Sequence, residues 1–270
     1  MSKVTFIGAG NMARALLTGL LDSGFPAEHL CASDPDPQQR ARMTTLGIPT
    51  EADNAPAIAN ADAIVLAVKP QIMKPVLRSL DTLQSDQLLI SIAAGVPIAA
   101  IAAVFDRDQP IVRCMPNTPA LLRQGVTALV ANQQASPAQQ QLAGKILGAA
   151  GTIHWLAKES ALDAVTAVSG SGPAYFFYLL EAMIDAGVAL GLSPALARSL
   201  ATETALGAAR MAREGDTEPA ELRRNGTSPG GTTERALNVL NAANVNNAMI
   251  DAMKQAAARS QELAEEFSRS

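Results

Sequence analysis

Over roughly the first 157 residues, short apolar runs alternate with stretches of helical periodicity. Lys3-Val-Thr-Phe-Ile7 is β-rich and passes directly into Gly8-Ala-Gly-Asn-Met-Ala13, after which Ala13, Leu16, Leu17, Leu20 and Leu21 share one helix face. Residues 30–33, 61–68, 87–92, 111–115 and 126–131 read as further strands, and residues 54–59, 72–80 and 97–104 as helices between them. A helix over 137–149 and a strand over 152–156 complete this half. Near-continuous apolar strands alternating with helices predict a parallel sheet covered on both faces, a Rossmann-type α/β domain over residues 1–157.

Beyond Lys158 the strand pattern stops, and residues 158–270 are expected to form an all-helical C-terminal domain. A helix over 161–168 ends at Ser169-Gly-Ser-Gly-Pro-Ala-Tyr175, with Pro173 placed as a first helical residue. The next helix, through Leu190, is apolar nearly all round except at Glu181 and Asp185. Pro194 opens another, along which Ala201, Ala205, Ala208 and Ala212 form a small-residue seam. Residues 218–224 lead into a polar turn, and a helix over 245–267 closes the chain. An all-round apolar helix must be covered. Either a second subunit covers it, or the helical half folds as a cap on the sheet domain.

Composition narrows the classes. Hydrophobic residues at 48% and charged residues at 17% exclude a disordered chain. A net charge of −4 with no basic stripe argues against nucleic acid. Cys31 and Cys114 lie far apart and in no metal-ligand spacing, which fits reduced thiols. The longest uncharged run, 88–105, is broken by Gly95 and Pro97, so no membrane span is expected. The first eight residues lack a signal-peptide core, and a cytoplasmic protein is expected.

Gly8-x-Gly10-x-x-Ala13 between a strand and a helix is the chemistry-bearing pattern of the first half. Gly8 permits the tight turn, Gly10 lets a pyrophosphate reach the helix N-terminus, and Ala13 lets the helix lie on the strand. A bare βα turn is the alternative. Asp34 follows the second strand, about 20 residues beyond the motif, where an acidic residue binds ribose hydroxyls and favours NAD. It equally suits a cap for the helix near Pro37, and Arg40 and Arg42 are near enough to accommodate a 2′-phosphate. At the later strand ends stand Val68-Lys-Pro-Gln71, Ser91-Ile-Ala-Ala-Gly95 and Met115-Pro-Asn-Thr-Pro119, with Lys69 either a cleft residue or a solvated one.

In the second half, Thr227-Ser-Pro-Gly-Gly-Thr-Thr233 precedes a helical run in which Ala236, Leu237, Leu240 and Ala243 share a face. Unpaired backbone N–H groups at a helix start, surrounded by four hydroxyls, suit a small carboxylate. A glycine-capped polar turn is the alternative. Neither His29 nor His154 lies near these motifs, and no nucleophile–base pair or metal cluster is apparent. Reducing a small acid with so little acid–base machinery needs an acceptor bond that is already polarised, such as a protonated C=N.

Over nearly its whole length the chain resembles the pyrroline-5-carboxylate reductase family. The resemblance rests on Phe6-Ile-Gly-Ala-Gly-Asn-Met-Ala13 with Ala67-Val-Lys-Pro70, on Ser169-Gly-Ser-Gly-Pro-Ala-Tyr175, and on Leu222-Arg-Arg-Asn-Gly-Thr-Ser-Pro-Gly-Gly-Thr-Thr233. It implies NAD(P)H-dependent reduction of 1-pyrroline-5-carboxylate to proline by a homodimer built through its helical domains, in some members a ring of dimers. It also implies residue roles. Thr233 meets the ring nitrogen, and Ser228 with the backbone of Gly231 and Thr232 cradles the carboxylate. The dinucleotide is held by Ile7, Gly8, Ala9, Gly10, Asn11, Met12, Asp34, Asn54, Ala67, Val68, Lys69, Pro70, Ile92, Ala93 and Ala94. Two positions depart from the pattern: Gly226 stands where many members have valine, and Ser33-Asp34 where NADP-preferring members carry Asn-Arg or Ser-Arg. The choice between NADH and NADPH stays open. A β-hydroxyacid dehydrogenase, the nearest other class, needs a lysine that the stretch 175–190 lacks, and a dinucleotide sensor has no use for Thr227–Thr233.

Overall fold

Val4–Ile7 (β1) is buried at every position and lies near the middle of an eight-stranded sheet ordered β3-β2-β1-β4-β5-β6-β7-β8. The other strands are β2 (Leu30–Ser33), β3 (Thr50–Glu51), β4 (Ala63–Leu66), β5 (Leu88–Ser91), β6 (Ile111–Met115), β7 (Gly125–Ala131) and β8 (Gly151–Trp155). The computed structural model describes residues 2–269. Successive strand residues alternate between two cores. Val4, Phe6, Ala63, Val65, Leu88 and Ile90 pack on one face, with Leu16, Leu17 and Leu20 of α1 (Asn11–Asp22) and Ile146 and Leu147 of α6 (Pro137–Gly148). Ile7, Ile64, Leu66 and Leu89 pack on the other. There they meet Ile58 of α3 (Asn54–Ile58), Met73 and Leu77 of α4 (Pro70–Arg78) and Ile101 of α5 (Ile98–Ala102). Burial on both faces is why these strands carry unbroken apolar runs instead of alternation.

The expected parallel order holds from β3 through to β6, but β7 pairs antiparallel with β6, and β8 runs parallel to β7. The reason is chain length. Only the turn Thr118–Leu122 lies between Met115 and Gly125, whereas a parallel return needs a crossover of a dozen or more residues.

Residues up to Ser171, with the chain from Gln255 onward, form one compact unit, and Gly172–Lys254 form the other. In the first unit, helix α7 (Ala161–Val165) does not stop at the Ser-Gly-Ser-Gly motif. It widens into a π-helical turn, Thr166–Gly170, in which the Ser171 N–H donates to Thr166 O at 2.8 Å. Asn117 Nδ2 donates to the Ser169 carbonyl at 3.1 Å, satisfying an acceptor in this turn. The stretch just before it is tied to the sheet by Arg113 of β6. Its guanidinium lies 2.7 Å from Glu159 Oε1, the oxygen that also takes the Ile98 N–H at 2.8 Å. The end of α12 (Val245–Arg269) packs here too: Ser260 Oγ donates to Asp163 Oδ1 at 2.7 Å, and Phe267 enters the second core.

The second unit is helical throughout: α8 (Gly172–Ala189), α9 (Pro194–Glu214), α10 (Pro219–Asn225), α11 (Thr232–Ala242) and the first part of α12. Helices α8 and α9 approach closely where Gly187 faces Ala197. A Cβ on that glycine would lie 3.0 Å from the alanine methyl. Of the alanine seam only Ala201 is buried, and Ala208 and Ala212 are exposed. The apolar surface of α8 is open in the single chain, with Phe176 at 62%, Phe177 at 59% and Tyr178 at 77% exposure.

Candidate active site

Strand register brings four segments named in the sequence to the C-terminal ends of neighbouring central strands. Ile7 is level with Ser33 and with Leu66, and Leu66 with Ser91. The segments that follow, Gly8–Met12, Asp34, Ala67–Pro70 and Ile92–Ala94, therefore leave the sheet side by side. They lie on both sides of β1, where the strand order reverses and ligands of open parallel sheets settle.

At the glycine turn, Gly8 has φ +95°, and a Cβ there would sit 2.6 Å from Ala67 O and 3.0 Å from Val68 Cγ1. The turn is fastened by Gly8 N–H to Ser33 O at 2.7 Å, while Ala67 N–H donates to Ile7 O at 2.8 Å. Gly10 is different. It caps α1 with no side-chain hydrogen bond to the helix N-terminus, and a Cβ on it would meet no protein atom within 4 Å. The protein itself does not require glycine there. The open space beside unpaired helix-start donors, next to Asn11 and Met12, fits a pyrophosphate. Ala13 is buried and lets α1 lie on the sheet, as its small side chain implies.

The Asp34 carboxylate is held at both oxygens. Oδ2 accepts from Ala9 N–H at 2.9 Å, and Oδ1 from Asp36 N–H at 2.9 Å. The cap of α2 (Pro37–Thr44) is Asp36, which accepts from Gln38 N–H at 2.8 Å, so Asp34 does not serve that purpose. Arg40 Nη1 donates to the carbonyls of Asp34 and Pro35 at 2.7 and 2.9 Å, while Arg42 is exposed. Ser33 Oγ donates to Asn54 Oδ1 at 2.7 Å, and Asn54 Nδ2 donates to Ser79 Oγ at 2.8 Å. Together Gly8, Asp34, Asn54, Val68, Ile72 and Ser79 border a cleft of about 430 Å³. Sequence reading missed Ile72 and Ser79, because a single serine and an isoleucine on a helix carry no motif. Lys69 is exposed at the N-cap of α4, Ala93 is buried, and Ile92 and Ala94 are half-buried.

Thr227–Thr233 lies in the helical unit. Thr227 is committed to the preceding helix, its Oγ1 donating to Arg223 O at 2.6 Å and its N–H to Arg224 O at 3.0 Å. Gly226 ends α10 with its N–H on Leu222 O at 3.1 Å. Gly230 takes φ +72°, and Gly231 N–H closes the turn onto Ser228 O at 3.0 Å. Gly231 caps α11 with no side-chain hydrogen bond, leaving the helix start at Thr232 and Thr233 uncapped, both side chains exposed. Three hydroxyls, those of Ser228, Thr232 and Thr233, remain where four were counted in the sequence.

Other chemistries find no footing. Burial and the nearby Glu51 push the Cys31 thiol up to about 11, and burial holds the Cys114 thiol higher still, so neither is a ready thiolate. His154 stands exposed on β8. Among the described residues no group of three or more His, Cys, Asp or Glu is placed to hold a metal.

A Rossmann-type sheet with an open glycine turn, an acidic residue after β2 and a separate helical unit defines a nicotinamide-dinucleotide oxidoreductase. Residues 3–95 match the family model described as NADP oxidoreductase, coenzyme F420-dependent, and residues 159–263 match pyrroline-5-carboxylate reductase dimerisation. Pyrroline-5-carboxylate reductase of Pseudomonas aeruginosa is 52% identical over 267 residues, covering 98% of each chain. A solved pyrroline-5-carboxylate reductase from Coxiella burnetii superposes with a TM-score of 0.92 at 40% identity, over 97% of this chain and 98% of that one. The Plasmodium falciparum pyrroline carboxylate reductase, solved with NADP bound, gives 0.88 at 31% identity over 97% and 98%. The chain belongs to the pyrroline-5-carboxylate reductase family.

Proposed function

We propose that this protein reduces 1-pyrroline-5-carboxylate to L-proline with NADPH or NADH, the last step of proline synthesis. The observation that carries the reading is the uncapped, hydroxyl-rich start of α11 in the same chain as an open dinucleotide turn. The turn residues Ile7–Met12, with Asp34, Asn54, Ala67–Pro70 and Ile92–Ala94, hold the dinucleotide, which supplies the hydride. Ser228 and the backbone at Gly231 and Thr232 receive the substrate carboxylate. Because Gly231 N–H is already bonded to Ser228 O, the N–H groups of Thr232 and Thr233 are the more available donors. Thr233 Oγ1 meets the ring nitrogen. We assign dinucleotide binding to residues 1–157 and substrate binding and dimerisation to residues 158–270, of which 158–171 and the end of α12 pack with the sheet unit.

Purified protein is expected to oxidise NADH or NADPH when pyrroline-5-carboxylate is supplied and to ignore 3-hydroxyacid semialdehydes. Turnover of neither would overturn the reading. The same assay resolves the role of Asp34. A carboxylate beside the ribose repels a 2′-phosphate, so Asp34→Ala should raise the NADPH-to-NADH ratio of kcat/KM. An unchanged ratio would leave Asp34 only as the brace between Ala9 and Asp36.

The open apolar side chains of α8 are proposed to be covered by a second copy of the chain, making an obligate homodimer that can assemble further. An interface of that kind resembles a domain core cut in half. Light scattering should give at least a dimer at the lowest measurable concentration, and an active, folded monomer would refute it. No helix among the described residues is long and apolar enough to cross a membrane, and we place the working enzyme in the cytoplasm.

A further inference from the structure

Glu234 directly follows the threonine proposed to meet the substrate nitrogen, which makes it the acidic group in the motif nearest the chemistry in sequence. Its carboxylate is engaged elsewhere: Oε2 accepts the Gly230 N–H at 2.8 Å. We propose that Glu234 is a positioning residue, whose carboxylate sets the shape of the substrate loop without exchanging a proton with the substrate. The inference rests on the function proposed above.

Three observations support it. Gly230 sits at φ +72°, a left-handed conformation that the chain adopts at small cost only with glycine and that needs an anchor to persist as one state. The Glu234 acceptor supplies that anchor across one helical turn. Second, the start of α11 carries no capping box. In the complete motif the N-cap side chain accepts from the helix start while the residue at N3 reaches back. Here Glu234, at N3 of α11, reaches past the N-cap to the N–H of Gly230, and the N-cap, Gly231, has no side chain to accept in return. The loop is therefore braced from one side only, and the donors at the start of α11 stay open for a carboxylate ligand. Third, the neighbouring groups are already committed. Thr227 is bound to α10, and the Gly231 N–H to Ser228 O. Glu234 removes the Gly230 N–H from the set of donors a ligand can reach. What remains is directed to one place, at Ser228 and the first residues of α11.

An acceptor role and a proton-transfer role separate by substitution. Glutamine keeps an acceptor oxygen of nearly the same reach but cannot exchange a proton as a carboxylate does. Glu234→Ala is expected to lower kcat/KM for pyrroline-5-carboxylate by about tenfold or more, mostly through KM, as for loss of a charge-assisted hydrogen bond. The KM for NAD(P)H should stay within about twofold, since the dinucleotide turn does not depend on this loop. Glu234→Gln should recover most of what alanine loses. Steady-state kinetics with each substrate varied in turn, alongside NAD(P)H binding by fluorescence to confirm folded protein, decide the matter. An alanine variant with wild-type constants would overturn the proposal, as would glutamine and alanine variants that are equally impaired. A parallel rise in both KM values would also overturn it, because it would mark a general loss of structure. If the unaltered protein fails to reduce pyrroline-5-carboxylate at all, it is the proposed function that falls instead.

Discussion

Replacing Thr233 by alanine is expected to lower kcat/KM for pyrroline-5-carboxylate by roughly ten- to a hundredfold, while Thr233→Ser keeps most of the activity. As hydride arrives at the carbon of the C=N bond, the ring nitrogen loses its positive character and the product amine needs a partner. A hydroxyl donates to a neutral imine and accepts from an iminium or an amine, so one side chain serves every state along the path. Thr233 is exposed at the second position of α11 with no side-chain cap beside it, whereas Thr227 already has its hydroxyl on Arg223 O. A hydrogen bond to a charged group is worth about 1.5–3 kcal/mol, which sets the size of the loss. Steady-state kinetics on folded variants check it. An alanine variant with wild-type kcat/KM would leave Thr233 as nothing more than the start of a helix.

Substitution at the two glycines of the dinucleotide turn should separate folding from binding. Gly8→Ala forces a side chain into φ +95° and drives its Cβ to 2.6 Å from the Ala67 carbonyl oxygen, an atom of the backbone that cannot turn aside. Backbone strain of ~1–3 kcal/mol adds to overpacking of a similar ~1–3 kcal/mol. A fall in Tm of roughly 5–20 °C is expected, with dinucleotide affinity lost as the turn shifts. Gly10→Ala has no protein atom to strike and an ordinary φ of −72°, so its Tm should stay near the wild-type value. Its methyl group instead fills the space meant for the pyrophosphate, and affinity should fall about tenfold or more, an effect of at least ~1.4 kcal/mol. Calorimetric titration and thermal melts on the two variants report both quantities. Tight binding by Gly10→Ala would show that the space is not where the dinucleotide lies.

Much of this architecture was legible in the sequence because burial leaves a residue-level mark. Strands covered on both faces carry unbroken apolar runs, so β1, β2, β5 and β6 were found within about a residue or two of their ends. What stayed hidden depended on distance in space. The two-residue β3 is too short for a pattern, and the reversal at β7 follows from the length of one connection more than from any residue type. The Ser-Gly-Ser-Gly motif reads as a helix break because glycine and serine disfavour helices. In the folded chain, however, the widened turn satisfies its backbone through Thr166 and Asn117. In the site, Gly8, Asp34 and Asn54 were marked by a known pattern, but the engagement of Thr227 with Arg223 O and of Glu234 with Gly230 N–H shows only in the folded loop. How much of the alanine seam lies open, as at Ala208 and Ala212, is likewise visible only once α9 is folded.

The path of α12 has a consequence for how the protein is made. A Cβ on Gly95, just after Ile92–Ala94, would lie 2.8 Å from Leu263 Cβ, and Phe267 completes a core whose other members all come from residues 7–111. Lys74 sits 5.0 Å above the Phe267 ring. The sheet unit is thus assembled from two stretches of chain that lie on either side of the helical unit in sequence. Without the end of α12, the space beside α4 and α5 that Phe267 occupies would stand unfilled. A chain cut short before residue 255 would hold every proposed dinucleotide residue on a sheet unit that lacks the segment filling this core.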